Sequence, residues 1–126
     1  MIKRVFVLWS AAILCGISIT APMASAHSFP ESETPPAGAT LDKPPPRIVI
    51  KYDAPIEKLF ASLEVVNDGG QNEAVGPPEV SADGSELSVP ISTLGPGDYT
   101  VRWRVVCIDT HHTEGSYSFS VAGAQP

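Results

Sequence analysis

Residues 98–111 read DYTVRWRVVCIDTH, and this stretch decides the fold because apolar and polar side chains alternate through most of it. In a β-strand successive side chains point to opposite faces, so residues two apart share a face. The stretch is therefore predicted to be a long strand with its odd-numbered face in the core. That face carries Tyr99, Val101, Trp103, Val105 and Cys107, opposite Thr100, Arg102, Arg104 and Val106.

A second alternating run follows at the end of the chain. Tyr117, Phe119 and Val121 repeat the two-residue period, with Ser118 and Ser120 between them. Glu114 and Gly115 lie before this run and are predicted to form a turn. The end of the chain is therefore expected to be a β-hairpin.

Shorter runs of strand length precede this hairpin: RIVIKY at 47–52, LFASLEVV at 59–66 and SELSVPI at 85–91. The segments NDGGQN and SADG between them are typical of turns. Residues 30–46 contain six prolines, which exclude a helix there and predict an extended leader with turns. No stretch has convincing helical periodicity, so the spacing favours an all-β sandwich or barrel.

The first 26 residues have the layout of a secretory signal peptide. Lys3 and Arg4 precede an apolar run, and Ala24-Ser25-Ala26 matches the pattern that signal peptidase accepts. We expect cleavage between Ala26 and His27, which leaves one domain over residues 27–126. A retained membrane anchor is the alternative, but the apolar run is shorter than the roughly 20 residues that a spanning helix needs.

Processing would change the composition of the chain. Without Lys3 and Arg4, six Lys and Arg remain against fourteen Asp and Glu, a formal net charge of −8. Such a surface disfavours nucleic acid and anionic lipid as partners. Both methionines also lie before His27, and Cys107 becomes the only cysteine, so no intramolecular disulfide is expected.

Two potential metal ligands end the long strand. If its parity continues, Asp109 and His111 project from the core face at one end of the sandwich, while His112 takes the opposite face. A processed chain that begins with His27 would add its α-amino nitrogen and its imidazole Nδ1 to the same ion. Nitrogen and oxygen donors in a tetragonal arrangement suit Cu(II).

The sequence resembles the CopC family of periplasmic copper-binding proteins, which act in copper resistance. The resemblance is carried by His27 directly after the signal, by TPPAGATL at residues 34–41, and by WRVVCIDTH at residues 103–111. It implies an all-β, Ig-like Greek-key sandwich of about seven strands that is not an enzyme. It also implies one Cu(II) per chain on His27, Asp109 and His111.

The resemblance further implies a soluble, monomeric periplasmic carrier or buffer that acts in copper homeostasis and delivers copper to a CopD-type inner-membrane protein. Some family members hold a second, Cu(I) site on a methionine-rich loop, and the processed chain has no methionine for it. The expectation is therefore limited to the Cu(II) site.

The sequence allows two interpretations each for His112 and Cys107, which lie close to the D-x-H segment. His112 stands where the family usually has proline, and it is either a solvent-facing imidazole or an auxiliary ligand. Cys107 is either a small buried apolar residue or a soft ligand for Cu(I). Neither residue is counted among the primary ligands.

Two other functional classes compete with a copper carrier. One is a copper-dependent oxidase or monooxygenase with a histidine-brace site, although the chain has only nine aromatic residues for a substrate-binding face. The other is a metal-free Ig-like interaction module. A metal-free module would not explain why histidine occurs both at the processed terminus and in the D-x-H segment.

Overall fold

The computed structural model describes residues 28–123, which form two packed four-stranded sheets. The first sheet has the strand order β1-β3-β6-β5, and the second has the order β2-β8-β7-β4 with β2 parallel to β8. The predicted all-β sandwich is confirmed, with eight strands rather than about seven in the part described. The strands are β1 Pro30–Thr34, β2 Thr40–Leu41, β3 Arg47–Tyr52, β4 Ser62–Val66, β5 Glu79–Val80, β6 Glu86–Pro90, β7 Gly97–Val106 and β8 His112–Val121.

The core lies between the two sheets and is built from alternate residues of the longer strands. The predicted core face of β7 is confirmed, because Val101 and Val105 are fully buried and Arg102 and Arg104 are exposed. Burial of one large aliphatic or aromatic side chain stabilises a fold by about 1.5–3 kcal/mol. The other sheet supplies Ile48, Ile50, Tyr52, Leu87 and Val89 to the same core.

Trp103 packs against a position that has no side chain. It pairs with Gly115 across β7 and β8, and a Cβ atom added to Gly115 would lie 2.6 Å from Cζ2 of the indole. The ring of Tyr52 meets the indole edge to face, with 5.6 Å between ring centroids. Gly115 is therefore required by the packing of Trp103 rather than by a turn.

The hairpin turn was predicted in the wrong place. Glu114 and Gly115 lie inside β8, and the turn is formed by residues 107–111. The prediction that the strand continues through the D-x-H segment is also wrong, because β7 ends at Val106. Gly115 resembled a turn signal, but its absent side chain makes room for Trp103.

Hydrogen bonds within the loop explain why β7 stops where it does. The backbone N–H of Thr110 donates to the carbonyl of Cys107 at 2.9 Å, which closes a tight turn. Thr110 adopts φ 75°, in the left-handed region that an extended strand does not use. Asp109 and His111 therefore lie in a loop at one end of the sandwich.

The remaining predictions agree with the structure in most details. RIVIKY forms β3 with the predicted bounds, whereas the strand predicted at 59–66 begins only at Ser62. Its first part belongs to a 3₁₀ turn at Lys58–Phe60. The proline-rich leader is extended and contains β1 and β2. Within residues 28–123, no helix has the length and hydropathy to span a membrane.

Candidate metal centre

The β7–β8 loop brings Asp109 and His111 together. Nδ1 of His111 lies 3.1 Å from Oδ2 of Asp109, and the backbone N–H of His111 donates to Oδ1 at 3.2 Å. The side chain of His111 is 61% exposed and that of Asp109 is 31% exposed. The sequence correctly paired these two residues, although a tight turn rather than strand parity brings them together.

His27, the third predicted ligand, lies outside the described residues. Ser28, which follows it in sequence, is fully buried beside the same loop. Its backbone N–H donates to Sγ of Cys107 at 2.8 Å, and its carbonyl accepts a hydrogen bond from Oγ1 of Thr113 at 2.8 Å. The residue next to His27 is therefore attached to the ends of both strands that flank Asp109 and His111.

Two further contacts hold this part of the chain against the segment that follows β3. Oγ of Ser28 donates to the carbonyl of Pro55 at 3.1 Å. The backbone N–H of Phe29 donates to Oδ1 of Asp53 at 2.8 Å, and the N–H of Asp53 returns a bond to the carbonyl of Phe29 at 3.0 Å. Residues 28 and 29 thus have a defined position at this end of the sandwich.

Cys107 is buried, as its apolar interpretation predicts. It is 1% exposed, its N–H donates to the carbonyl of His111 at 2.8 Å, and it forms an isolated bridge with Ile56. Its Sγ is the acceptor for the N–H of Ser28. The thiol therefore lies within the protein beneath the loop.

His112 lies at the start of β8 and is exposed. It pairs with Val106, and its neighbour Thr113 is buried on the opposite face of the strand. This is the solvent-facing placement that the sequence predicted. His112 and His111 thus belong to different parts of the hairpin, one in the strand and one in the loop.

Tyrosines of the core are poor anionic donors. Burial raises the pKa of Tyr52 well above its usual range, and the charge of Glu33 and the neighbouring Tyr117 add to the rise. Burial and Glu33 raise the pKa of Tyr117 in the same direction. Both phenols therefore stay protonated, and the carboxylate of Asp109 is the anionic donor of the pair described above.

Residues 28–123 do not contain three His, Cys, Asp or Glu side chains close enough together to hold a metal ion. Asp109 and His111 supply one oxygen and one nitrogen, donor types that suit Cu(II), so a complete site needs further donors. Ser28 and Thr113 were not singled out as contributors to this end of the molecule. Their contacts join residues up to 85 positions apart, and no local pattern signals them.

The described residues thus form a small two-sheet β-sandwich with an acid–histidine pair in a loop at one end. Residues 30–122 match the CopC domain family, and the chain belongs to this family. Members of the family are periplasmic copper-binding proteins of copper resistance and transport, and they are not enzymes. The chain is therefore a copper-binding protein, which argues against both the copper oxidase and the metal-free module.

Several relatives are similar to this chain in sequence. YobA of Escherichia coli K12 is 32% identical over 106 residues, which cover 82% of this chain and 86% of YobA. The copper transport protein CutJ of Bacillus subtilis is 24% identical over 92% of this chain but only 22% of its own length. Copper resistance protein C of Xanthomonas campestris pv. juglandis is 55% identical over 42 residues, covering 32% of this chain and 33% of that protein.

The fold also matches a solved structure of the family. CopC from Methylosinus trichosporium OB3b superposes with a TM-score of 0.74 at 26% identity. The match covers 79% of this chain and 98% of that structure. The two-sheet β-sandwich described above is therefore the CopC fold.

Proposed function

We propose that this chain is an exported carrier of one Cu(II) ion, bound by His27 at the processed amino terminus together with Asp109 and His111. The observation that carries the proposal is the hydrogen bond from Ser28 N–H to Sγ of Cys107. It attaches the residue after His27 to the end of β7, where the loop with the other two ligands begins. A terminal histidine would thus start beside the acid–histidine pair.

The donor set follows from this arrangement. Cleavage after Ala26 would create a free α-amine on His27, and this amine and Nδ1 of the same residue can close one chelate ring on a metal. Oδ2 of Asp109 lies 3.1 Å from Nδ1 of His111, so we infer that a carboxylate oxygen of Asp109 and a ring nitrogen of His111 can bind the same ion.

The surroundings of the site suit transport of copper better than chemistry on a substrate. His111 is exposed, so an incoming ligand can reach the site directly. The net charge of −8 expected for the processed chain attracts cations to the surface. Copper is therefore the cargo of this protein, held in the periplasm for exchange.

We further propose that the cargo is exchanged with a CopD-type inner-membrane protein. In CutJ, a copper transport protein, the matched segment is only part of a much longer chain, which supports an association between this domain and copper transport.

An apolar surface beside the β7–β8 loop, called the copper loop below because it carries Asp109 and His111, supports this exchange. Leu59, Phe60 and Ile108 are large apolar residues that are more than 60% exposed. The N–H of Glu57 donates to the carbonyl of Val106 at 2.8 Å, which places the 3₁₀ turn next to the copper loop. Exposed apolar patches of this kind mark interaction surfaces.

A Cu(II) titration tests the proposal, using monomeric protein whose His27 terminus is verified by mass spectrometry. We expect one Cu(II) per chain. Electron paramagnetic resonance should show nitrogen couplings from three donors, which are the amine and the imidazoles of His27 and His111. Binding without these nitrogen couplings, or no binding, would contradict the proposed site.

A further inference from the structure

We propose that Cys107 and Thr113 are positioning residues that clamp Ser28 and thereby select which nitrogen atoms bind copper. This proposal rests on the copper site proposed above. We call Ser28 together with its three partners Cys107, Thr113 and Pro55 the amino-terminal clamp. None of the three partners is itself proposed to touch the metal.

The clamp uses every polar group of Ser28. The backbone N–H donates to Sγ of Cys107, the carbonyl accepts from Oγ1 of Thr113, and the side-chain hydroxyl donates to the carbonyl of Pro55. The three distances lie between 2.8 and 3.1 Å, and Ser28 has no exposed surface. A buried N–H left without an acceptor is costly, so the N–H of Ser28 is held in the orientation that reaches Sγ of Cys107.

The same residues also shape the loop that carries the other ligands. The backbone N–H of Cys107 donates to the carbonyl of His111, and the carbonyl of Cys107 accepts from Thr110. Cys107 therefore bonds to the amino-terminal segment through its side chain and to the copper loop through its backbone. The hydrogen bond from the Ser28 N–H to Sγ of Cys107 therefore holds the amino-terminal segment at a fixed distance from the copper loop.

The orientation of the Ser28 amide determines the ligand chemistry. In a flexible peptide that begins with histidine, Cu(II) can displace protons from the backbone amides that follow and bind their nitrogen atoms. Here the amide proton of Ser28 points at a buried sulfur, so this nitrogen is directed away from solvent and metal. The clamp thus restricts copper to the amine, the imidazoles and the carboxylate.

Paired variants separate the hydrogen bonds from the packing. Thr113→Val removes the hydroxyl at constant shape, whereas Thr113→Ser keeps it. Cys107→Ala removes the acceptor, whereas Cys107→Ser keeps one. We expect the loss of either hydrogen bond, in T113V or in C107A, to weaken Cu(II) binding about tenfold. Both of these variants should also show amide-nitrogen coordination in alkaline solution by electron paramagnetic resonance, while both serine variants resemble the wild type.

Hydrogen exchange tests the clamp without copper and without relying on variants that must fold. In wild-type protein that retains Ala26, the Ser28 amide should exchange at least about tenfold more slowly than in an unstructured peptide. Exchange at the unstructured rate would overturn the clamp.

The two proposals fail in different ways. If Ser28 is protected but processed protein binds no Cu(II), the proposed function fails, and the role of the clamp in copper binding fails with it. If processed wild type binds Cu(II) as proposed while T113V and C107A keep its affinity and spectrum, only the clamp proposal is overturned.

Discussion

Oδ2 of Asp109 lies 3.1 Å from Nδ1 of His111, and Oδ1 of the same carboxylate accepts the backbone N–H of His111. One acid thus holds both the ring and the backbone of the histidine in the β7–β8 loop. The adjacent His112 belongs to β8 and pairs with Val106. Two consecutive histidines therefore occupy different environments, and only the first of them is proposed to bind copper.

This difference predicts opposite effects for two alanine variants. His111→Ala should remove a nitrogen ligand and weaken Cu(II) binding by about 100-fold or more, since loss of a mere partner of a metal ligand commonly costs about 10–100-fold. His112→Ala, the matched control, should stay within about threefold of the wild type. Competition titrations against a chelator of known affinity would measure both. The reverse ranking would assign the copper site to the strand rather than to the loop.

The oxidation state of the cargo gives a second prediction. Cys107 is the one soft side chain near the loop among residues 28–123, and its sulfur is buried and accepts the Ser28 N–H. Cu(I) prefers soft sulfur ligands, so this chain should bind Cu(I) poorly. A Cu(I) competition assay with a colorimetric chelator would check this for wild type and Cys107→Ser. Tight Cu(I) binding that is lost in C107S would show that the cysteine is a ligand.

The packing of Trp103 gives a prediction for stability. Gly115→Ala would place a Cβ atom 2.6 Å from the indole and should lower the free energy of unfolding by about 1–3 kcal/mol, the usual cost of overpacking. Gly95→Ala is the control, because a Cβ atom there meets no other atom within 4 Å. Urea denaturation would compare the two. Equal stability of the two variants would mean that the indole can move aside.

The exposed apolar residues next to the copper loop predict an effect on transfer rather than on binding. Replacing Leu59 and Phe60 by serine should leave Cu(II) affinity unchanged and slow transfer to membranes that contain a CopD-type protein by about tenfold, a typical effect of removing a central contact. Val75→Ser is the control, since Val75 is also exposed but follows β4 away from this turn. Stopped-flow detection of copper transfer would measure the rates. Equal rates for all three proteins would exclude this surface from the exchange.

The sequence predicted the strand pattern well because alternation is a local property. The face of β7 that carries Val101 and Val105 follows directly from the two-residue period. The position of the turn was missed because Gly115 is explained only by the indole of Trp103 on the neighbouring strand. That contact does not exist until the hairpin forms.

The sequence likewise predicted only part of the candidate site. Asp109 and His111 are two residues apart, so any turn or strand keeps them close, and their pairing could be predicted from the sequence. The attachment of Ser28 to Cys107 spans 79 positions and depends on the packing of both sheets. Long-range contacts of this kind have no signature in the spacing of residues.

The role of the processed amino terminus can be tested by comparing the Cu(II) affinity of two forms of the chain. One form begins at His27, and the other is identical but retains Ala26, which converts the α-amine of His27 into an amide nitrogen. We expect one tightly bound Cu(II) in the first form and binding at least about 100-fold weaker in the second, because the second loses the terminal amine as a ligand. Equal affinity in the two forms would contradict the proposal that the processed amino terminus binds the metal.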